Sequence, residues 1–305
     1  TFEARGYTYW DCTSPAFIRD NVLCIPTIFV SYNGETLDKK APLLKSAEAI
    51  SKQATRIVNL FKDKDIKRVN AMVGLEQEYF LIDKQQYQKR MDLMHTGRTL
   101  FGSMPPKSMD IRGHYFGSIP ERVQAFMSDV DKELWKLGIY AKTEHNEVAP
   151  CQFEIAPLFI DVNVAIDQNL IIMDVLKKQA DRHGFACLLH EKPFQGVNGS
   201  GKHNNWSLVT DDGQNLLEPG DRPHENIRFL LFVCAIIEAV DTYPELLRMA
   251  ASCYGNDYRL GADEAPPAVI SICMGDELEI ILEKLRKGEH ELKNEVETQP
   301  YAIAN

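Results

Sequence analysis

Nowhere in the chain do lysine and arginine gather into a run. The sequence holds 34 basic against 44 acidic residues, a net charge of -10. Without a basic stripe, nucleic acid is not an expected partner. An acidic chain remains compatible with a phosphate-bearing ligand whose charge metal ions screen. Paired cysteine motifs are missing too. Seven cysteines are scattered without a CxxC, a pattern unlike a disulfide scaffold or a structural zinc site. A reducing, cytoplasmic setting is the expectation. The longest uncharged apolar run, Phe229 to Ile237, ends at Glu238. A membrane-spanning helix needs about 20 apolar residues, so none is expected. Internal repeats and glycine-rich nucleotide fingerprints are also absent. The turn after Asn198 lacks both the spacing and the Lys-[Ser/Thr] pair of a P-loop. The chain opens at Thr1 and stops at Asn305, and the expectation is a chain incomplete at both ends.

What is present reads as alternating strands and helices. Residues 1–40 form a lead-in of loops and short strands, with Pro26 bending or edging the run Val22 to Tyr32. Residues 41–305 form the main domain. Pro42 opens a helix whose face carries Leu43, Ala47, Ile50, Ala54, Ile57 and Phe61. Residues 69–82 have a strand pattern. Residues 95–118, rich in Gly and Pro, read as a long loop. A second helix carries Val123, Phe126, Val130, Leu134 and Leu137 and stops at Gly138. A third carries Ile166, Leu170, Met173, Leu176 and Ala180 and stops at Gly184. Both stripes are core faces. Residues 226–239 read as an apolar helix buried against a sheet, and 276–287 as the start of another. The expected architecture is α+β: a curved antiparallel sheet with helices on its outer face and a free concave face.

Four segments carry chemistry. In Gly74-Leu-Glu-Gln-Glu-Tyr-Phe80, alternation along a strand points Glu76 and Glu78 the same way. Two adjacent carboxylates repel unless a cation offsets them, and carboxylate oxygens suit Mg²⁺ or Mn²⁺. The alternative is a solvated strand face. In His145-Asn-Glu-Val-Ala-Pro-Cys-Gln-Phe-Glu-Ile155, Glu147 and Glu154 stand in apolar surroundings, where a carboxylate needs a cation or several donors. Glu147 alone could equally be an exposed loop acid. In Asn198-Gly-Ser-Gly-Lys-His-Asn-Asn-Trp-Ser207, Gly199 and Gly201 let backbone approach a ligand closely. His203, Asn205 and Ser207 then share one strand face, although a lone histidine is often structural. In Asn256-Asp-Tyr-Arg-Leu-Gly-Ala-Asp-Glu-Ala-Pro-Pro267, Arg259 can clamp a carboxylate and Glu264 can accept a proton in a closing loop. A structural ion pair and a turn residue are the alternatives.

These segments, in this order, resemble the catalytic core of glutamine synthetases over roughly residues 1–275. The wording Tyr254-Gly-Asn-Asp-Tyr-Arg259 looks most like the large type III branch. The resemblance implies ATP-dependent joining of ammonia to L-glutamate through γ-glutamyl phosphate. It implies that Glu78, Glu147 and Glu154 hold one Mg²⁺ or Mn²⁺ near glutamate. Glu76 and His203 would hold another on the ATP phosphates. Asn198, Gly199 and Arg259 would bind glutamate, Glu264 would guard the intermediate and help deprotonate ammonium, and Ser207 would contact nucleotide. It also implies a homo-oligomeric ring, a dodecamer, with active sites between subunits. Three positions depart from the pattern: Asn205 and Asn146 replace frequent histidines, and Lys202 a frequent methionine. The further metal-binding glutamate and phosphate-binding arginines expected downstream of Glu264 find no match before Asn305. Expressed alone, residues 1–305 are therefore expected to turn over little. A related γ-glutamyl-amine ligase or guanidino kinase, or a non-catalytic remnant of the fold, would share much of this pattern.

Overall fold

The computed structural model describes residues 6–61, 65–103 and 106–251, with 279–280, 283–284 and 286–287 beyond them. The lead-in forms two antiparallel strand pairs, the second a hairpin. β1 (Gly6–Trp10) pairs with the fourth strand, and β2 (Phe17–Arg19) pairs with β3 (Val22–Cys24). β4 (Thr27–Ser31) starts after Pro26, so the expected run from Val22 is split into two strands at Ile25-Pro26. Asp20 and Asn21 turn the second hairpin with positive φ, a conformation that short polar side chains tolerate.

α1 (Lys40–Val58) follows and buries Ala41, Ala54 and Val58. The next strand pattern is interrupted. β5 (Val69–Leu75) and β6 (Gln77–Asp83) are separate strands with Glu76 at the break. They enter different sheets, so the expected single sheet is divided here. α2 (Lys84–Tyr87) is capped by Asp83, whose side chain accepts from the Gln85 N–H. α3 (Met91–Thr96) ends at Gly97, whose φ of 75° few other residues adopt cheaply. The expected long loop thus begins with a helix, and it also holds a π-helical turn at Ile111–Tyr115.

α4 (Glu121–Lys136) buries Val123, Phe126, Met127, Val130 and Leu134, the stripe expected from spacing. β7 (Ala141–Asn146), β8 (Gln152–Pro157) and β9 (Ile160–Asp161) lead into α5 (Val162–Arg182). The α5 stripe differs from expectation. Ala165, Asn169, Ile172, Val175, Leu176, Gln179 and Ala180 face inward, whereas Leu170 is 62% exposed. Two apolar rows run along this helix, and packing chose the one containing the smaller and amide side chains.

β10 (Phe185–Leu188) and β11 (Asn204–Thr210) complete two antiparallel sheets, in the orders β10-β6-β8-β7 and β11-β5-β9. α4 and α5 cover one face of the four-stranded sheet and seal a core around Tyr79, Phe126, Phe153, Ile155 and Leu176. This is an α+β arrangement whose opposite face is partly covered, with Leu93 and Val197 in a second core around Phe80 and Leu188. α6 (Ile227–Thr242) is less buried than its apolar sequence suggests. Phe229 and Phe232 point inward, while Ile227 is 69% exposed. α7 (Pro244–Ala251) follows. Residues 279–280 and 283–284 are helical, within the range expected to start a last helix.

A polar lock joins the lead-in to the main domain. Asp11 Oδ1 accepts from the Thr13 backbone N–H at 2.9 Å, and Asp11 Oδ2 accepts from Asn163 Nδ2 at 2.7 Å. Lys40 Nζ lies 3.0 Å from Asp11 and 2.5 Å from Asp167. Burial pushes the Asp11 carboxyl up, but the donors on Thr13, Asn163 and Lys40 outweigh it and bring the pKa down to about 2. A carboxylate lowered on folding from 3.8 stabilises the protein above its unfolded pKa, and that contribution disappears as pH falls through about 2. Asp11→Asn should therefore cost about 3 kcal/mol at neutral pH, the scale for breaking a buried ion pair. Urea titrations should show the gap to the parent closing as the pH approaches 2. A gap independent of pH would refute the charge argument.

Candidate metal centre

The centre forms on the face of the four-stranded sheet away from α4 and α5. Glu78 on β6 pairs with Glu154 on β8, and Glu154 pairs with His145 on β7. Three titratable side chains thus form one row across three strands. Glu147 follows β7 in a tight turn. Its N–H donates to the Gln152 carbonyl, and Cys151 adopts a φ of 61° to close the turn. Glu147 and Glu154 do not share a strand, yet they converge.

The Asn198–Gly201 segment docks against β6. The Glu78 N–H donates to the Gly201 carbonyl at 3.2 Å, and the Glu76 N–H donates to the His203 carbonyl at 3.1 Å. β11 therefore continues backward as a ladder past the strand break. Gly201 N–H donates to Glu78 Oε2 at 2.6 Å. A Cβ on Gly201 would stand 3.0 Å from His203 Nε2, tighter than most such contacts. This position needs glycine because carboxylate, imidazole and backbone meet there.

His203 Nδ1 lies 3.1 Å from Glu76 Oε2, and His203 Nε2 lies 4.0 Å from Glu78 Oε1. Glu76 and Glu78 therefore face the same histidine, as alternation predicted, although a strand break separates them. Asn205 Nδ2 donates to Glu76 Oε1 at 2.7 Å. The asparagine at this departure from the family pattern thus orients an acid of the centre. Ligand atoms of Glu76, Glu154 and His203 lie within 4.8 Å of one another, and so do those of His145, Glu147 and Glu154. Glu154 belongs to both groups. Hard oxygen donors with one imidazole suit Mg²⁺ or Mn²⁺. The buried positions of Glu78 and Glu154 make exposed, solvated carboxylates a poor description of the site.

Three contributors escaped sequence reading. His145 Nε2 lies 2.7 Å from Glu154 Oε2, and that contact, opposed by burial, lifts its pKa to about 9. Tyr115 packs edge-on against His145 with ring centres 5.3 Å apart. Burial, then the charges on Glu147, Glu154 and Glu76, raise its pKa. Gln152 is buried and donates from Nε2 to Glu78 Oε2 at 3.1 Å and to the Gly199 carbonyl at 2.9 Å. It ties a metal-facing acid to the glycine turn. Its place two residues before Glu154 was the available signal, since it puts both side chains on the same strand face.

The loop before α4 closes over the acidic turn. Asn146 Nδ2 donates to the Gly117 carbonyl at 2.8 Å, and His114 Nδ1 lies 3.0 Å from the Val148 carbonyl. Ser207 sits on β11 with its hydroxyl donating to Asn215 Oδ1. Asn198 precedes the buried Gly199. Lys202 reaches Met173 Sδ at 3.0 Å, and burial lowers its pKa. Arg259 and Glu264 lie outside the described residues.

An α+β fold that gathers four carboxylates and two histidines beside one sheet face presents a candidate hard-cation centre. Residues 51–270 match the family model for the glutamine synthetase catalytic domain, and residues 1–46 match that for the glutamine synthetase type III N terminal. The chain belongs to the glutamine synthetase family. It is 55% identical over 285 residues to a glutamine synthetase of Butyrivibrio fibrisolvens, covering 93% of this chain and 41% of that protein. It is 52% identical over 290 residues to a type-3 glutamine synthetase of Dictyostelium discoideum, covering 93% of this chain and 39% of that protein. A solved structure described as apo GmaS without ligand shares the fold, with a TM-score of 0.51 and 22% identity. That match covers 72% of this chain and 46% of the GmaS chain. The chain spans about two fifths of the length of the curated relatives it matches. Among the described residues, no helix is long and apolar enough to cross a membrane.

Proposed function

We propose that the whole protein joins ammonia to L-glutamate at the expense of ATP, forming L-glutamine through γ-glutamyl phosphate. One observation carries the reading. Glu76, Glu78, Glu147, Glu154 and His203 converge beside the Asn198–Gly201 turn, where a phosphate-bearing and a carboxylate-bearing substrate would both need charge compensation. Mg²⁺ or Mn²⁺ bound there would neutralise phosphate charge and align donor with acceptor.

The chain's own groups do the positioning. Gly201 N–H and Gln152 hold Glu78, Asn205 holds Glu76, and the β6–β8 register sets Glu154 beside Glu78. Preset ligands do not have to reorganise as charge develops, which is where such sites gain rate. The buried Gly199 turn, with Asn198, would seat glutamate, and Arg259 would clamp one of its carboxylates. Glu264 would take a proton from ammonium and shield the acyl phosphate from water. Ser207 would lie near nucleotide.

The assembly follows the family resemblance: a cytoplasmic ring of identical subunits, a dodecamer, with residues 1–40 as the end of the region that completes a neighbour's site. Light scattering on the full-length protein should give a ring-sized particle. A fully active monomer would overturn this. The function is tested by phosphate release from ATP, which should require glutamate and ammonium together. Release that is independent of glutamate would reject the ligase reading.

A further inference from the structure

A cavity of about 710 Å³ borders the metal centre, between one end of the four-stranded sheet and the loop that precedes α4. Its wall is mainly apolar. Leu81 of β6, Phe153 of β8, Phe185 of β10, and Phe101, Phe194 and Val197 from the surrounding loops line it. Apolar cavities with a few polar groups are where proteins place small-molecule ligands. Gln152, Glu147 and Lys107 supply polar groups here. Glu147 and Gln152 also belong to the metal centre, so the cavity shares a wall with it.

Gln152 is only 2% exposed, and its nitrogen is committed. Nε2 donates to Glu78 Oε2 at 3.1 Å and to the Gly199 carbonyl at 2.9 Å. Both partners are acceptors, which sets the amide with nitrogen toward the centre and leaves Oε1 buried without a donor. An unmet buried acceptor is costly, and a ligand O–H or N–H would meet it. Lys107 lines the cavity from its solvent side and enters no hydrogen bond or ion pair among the described residues. Burial raises the Cys151 thiol and the Lys107 charge opposes that rise, which puts the ammonium near the residue next to Gln152. Arg90 also lines the cavity, but Asp92 already meets its charge at 2.6 Å. The Glu147 carboxylate on the shared wall disfavours a second anionic group, so a monoacid fits better than a diacid such as glutamate.

We propose that this cavity is an effector site for a small monocarboxylic acid with an aromatic body and an O–H or N–H beside the carboxylate. The carboxylate pairs with Lys107, the donor meets Gln152 Oε1, and the ring packs among the phenylalanines. A 2-hydroxy acid and a 2-amino acid share that chemistry. Meeting the acceptor holds the Gln152 amide, and with it Glu78, in the metal-facing arrangement. The ligand therefore tightens Mn²⁺ binding, and Mn²⁺ tightens ligand binding by the same factor.

Calorimetry on the full-length protein, with glutamate at saturation, tests this with 3-phenyllactate and L-phenylalanine as probes. At least one should bind and raise Mn²⁺ affinity by about 5-fold or more; which one binds identifies the donor. 3-Phenylpropionate keeps the ring and carboxylate but lacks the donor, and should bind about 10-fold more weakly. Lys107→Gln, a change at an exposed position, should weaken the bound probe by about 10-fold or more. No binding of either probe would overturn the proposal. So would equal binding of 3-phenylpropionate, an affinity unchanged in Lys107→Gln, or Mn²⁺ binding indifferent to the probe. None of these readouts needs turnover, so they stand even if the ligase reading fails.

Discussion

Replacing Glu78 by alanine should remove divalent-metal binding at the inner part of the centre and lower turnover by about 1000-fold or more. Glu78 is buried, and its Oε2 accepts from both Gly201 N–H and Gln152 Nε2. Its Oε1 lies 4.0 Å from His203 Nε2. Truncation takes out one charge from the cluster and leaves two donors aimed at nothing. Losing a single well-placed electrostatic group costs about 100- to 1000-fold in rate, and losing a ligand also lowers metal occupancy. The losses need not add, because the acids act as a unit. Calorimetry with Mn²⁺ provides the check. Unchanged heat and stoichiometry in Glu78→Ala would remove Glu78 from the centre.

Gln152→Ala should come next in effect, although glutamine is neither charged nor a ligand. Its amide bridges Glu78 Oε2 and the Gly199 carbonyl, so one side chain holds an acid and the substrate turn in register. Removing groups that orient metal ligands typically costs about 10–100-fold in metal affinity or activity. The unpartnered carbonyl should also cost about 1–3 kcal/mol of stability. The affinity loss should appear in Mn²⁺ titrations, and Gln152→Glu should not restore it, since a carboxylate cannot donate to Glu78. Parent-like Mn²⁺ affinity in a folded Gln152→Ala protein would show that Glu78 is held without it.

The same residues show what could be read beforehand. Glu76 and Glu78 were legible as a pair because strand alternation is local, and both do face His203. The break at Glu76 was not legible, because it comes from two sheets meeting, and no periodicity within β5 and β6 records that. His145 and Tyr115 escaped for a related reason. Their contact with the acids depends on the β7–β8 register and on a loop folding back, both nonlocal. The α4 stripe was readable because one apolar row dominates, whereas α5 carries two rows and Leu170 turned out to face solvent. α6 is apolar all round, so composition could not say which face is covered. Only Phe229 and Phe232 are buried. The lock at Asp11 joins residues far apart in sequence and leaves no local signature.

We propose that this acidic sheet face serves glutamate–ammonia ligation. The most direct test is phosphate release by the full-length protein with ATP, Mg²⁺ and glutamate, comparing ammonium with a primary amine such as methylamine. Strong release with ammonium, little with methylamine, and glutamine as product are expected, all lost in Glu78→Ala. Equal or faster release with methylamine, or parent-like release from Glu78→Ala, would contradict it.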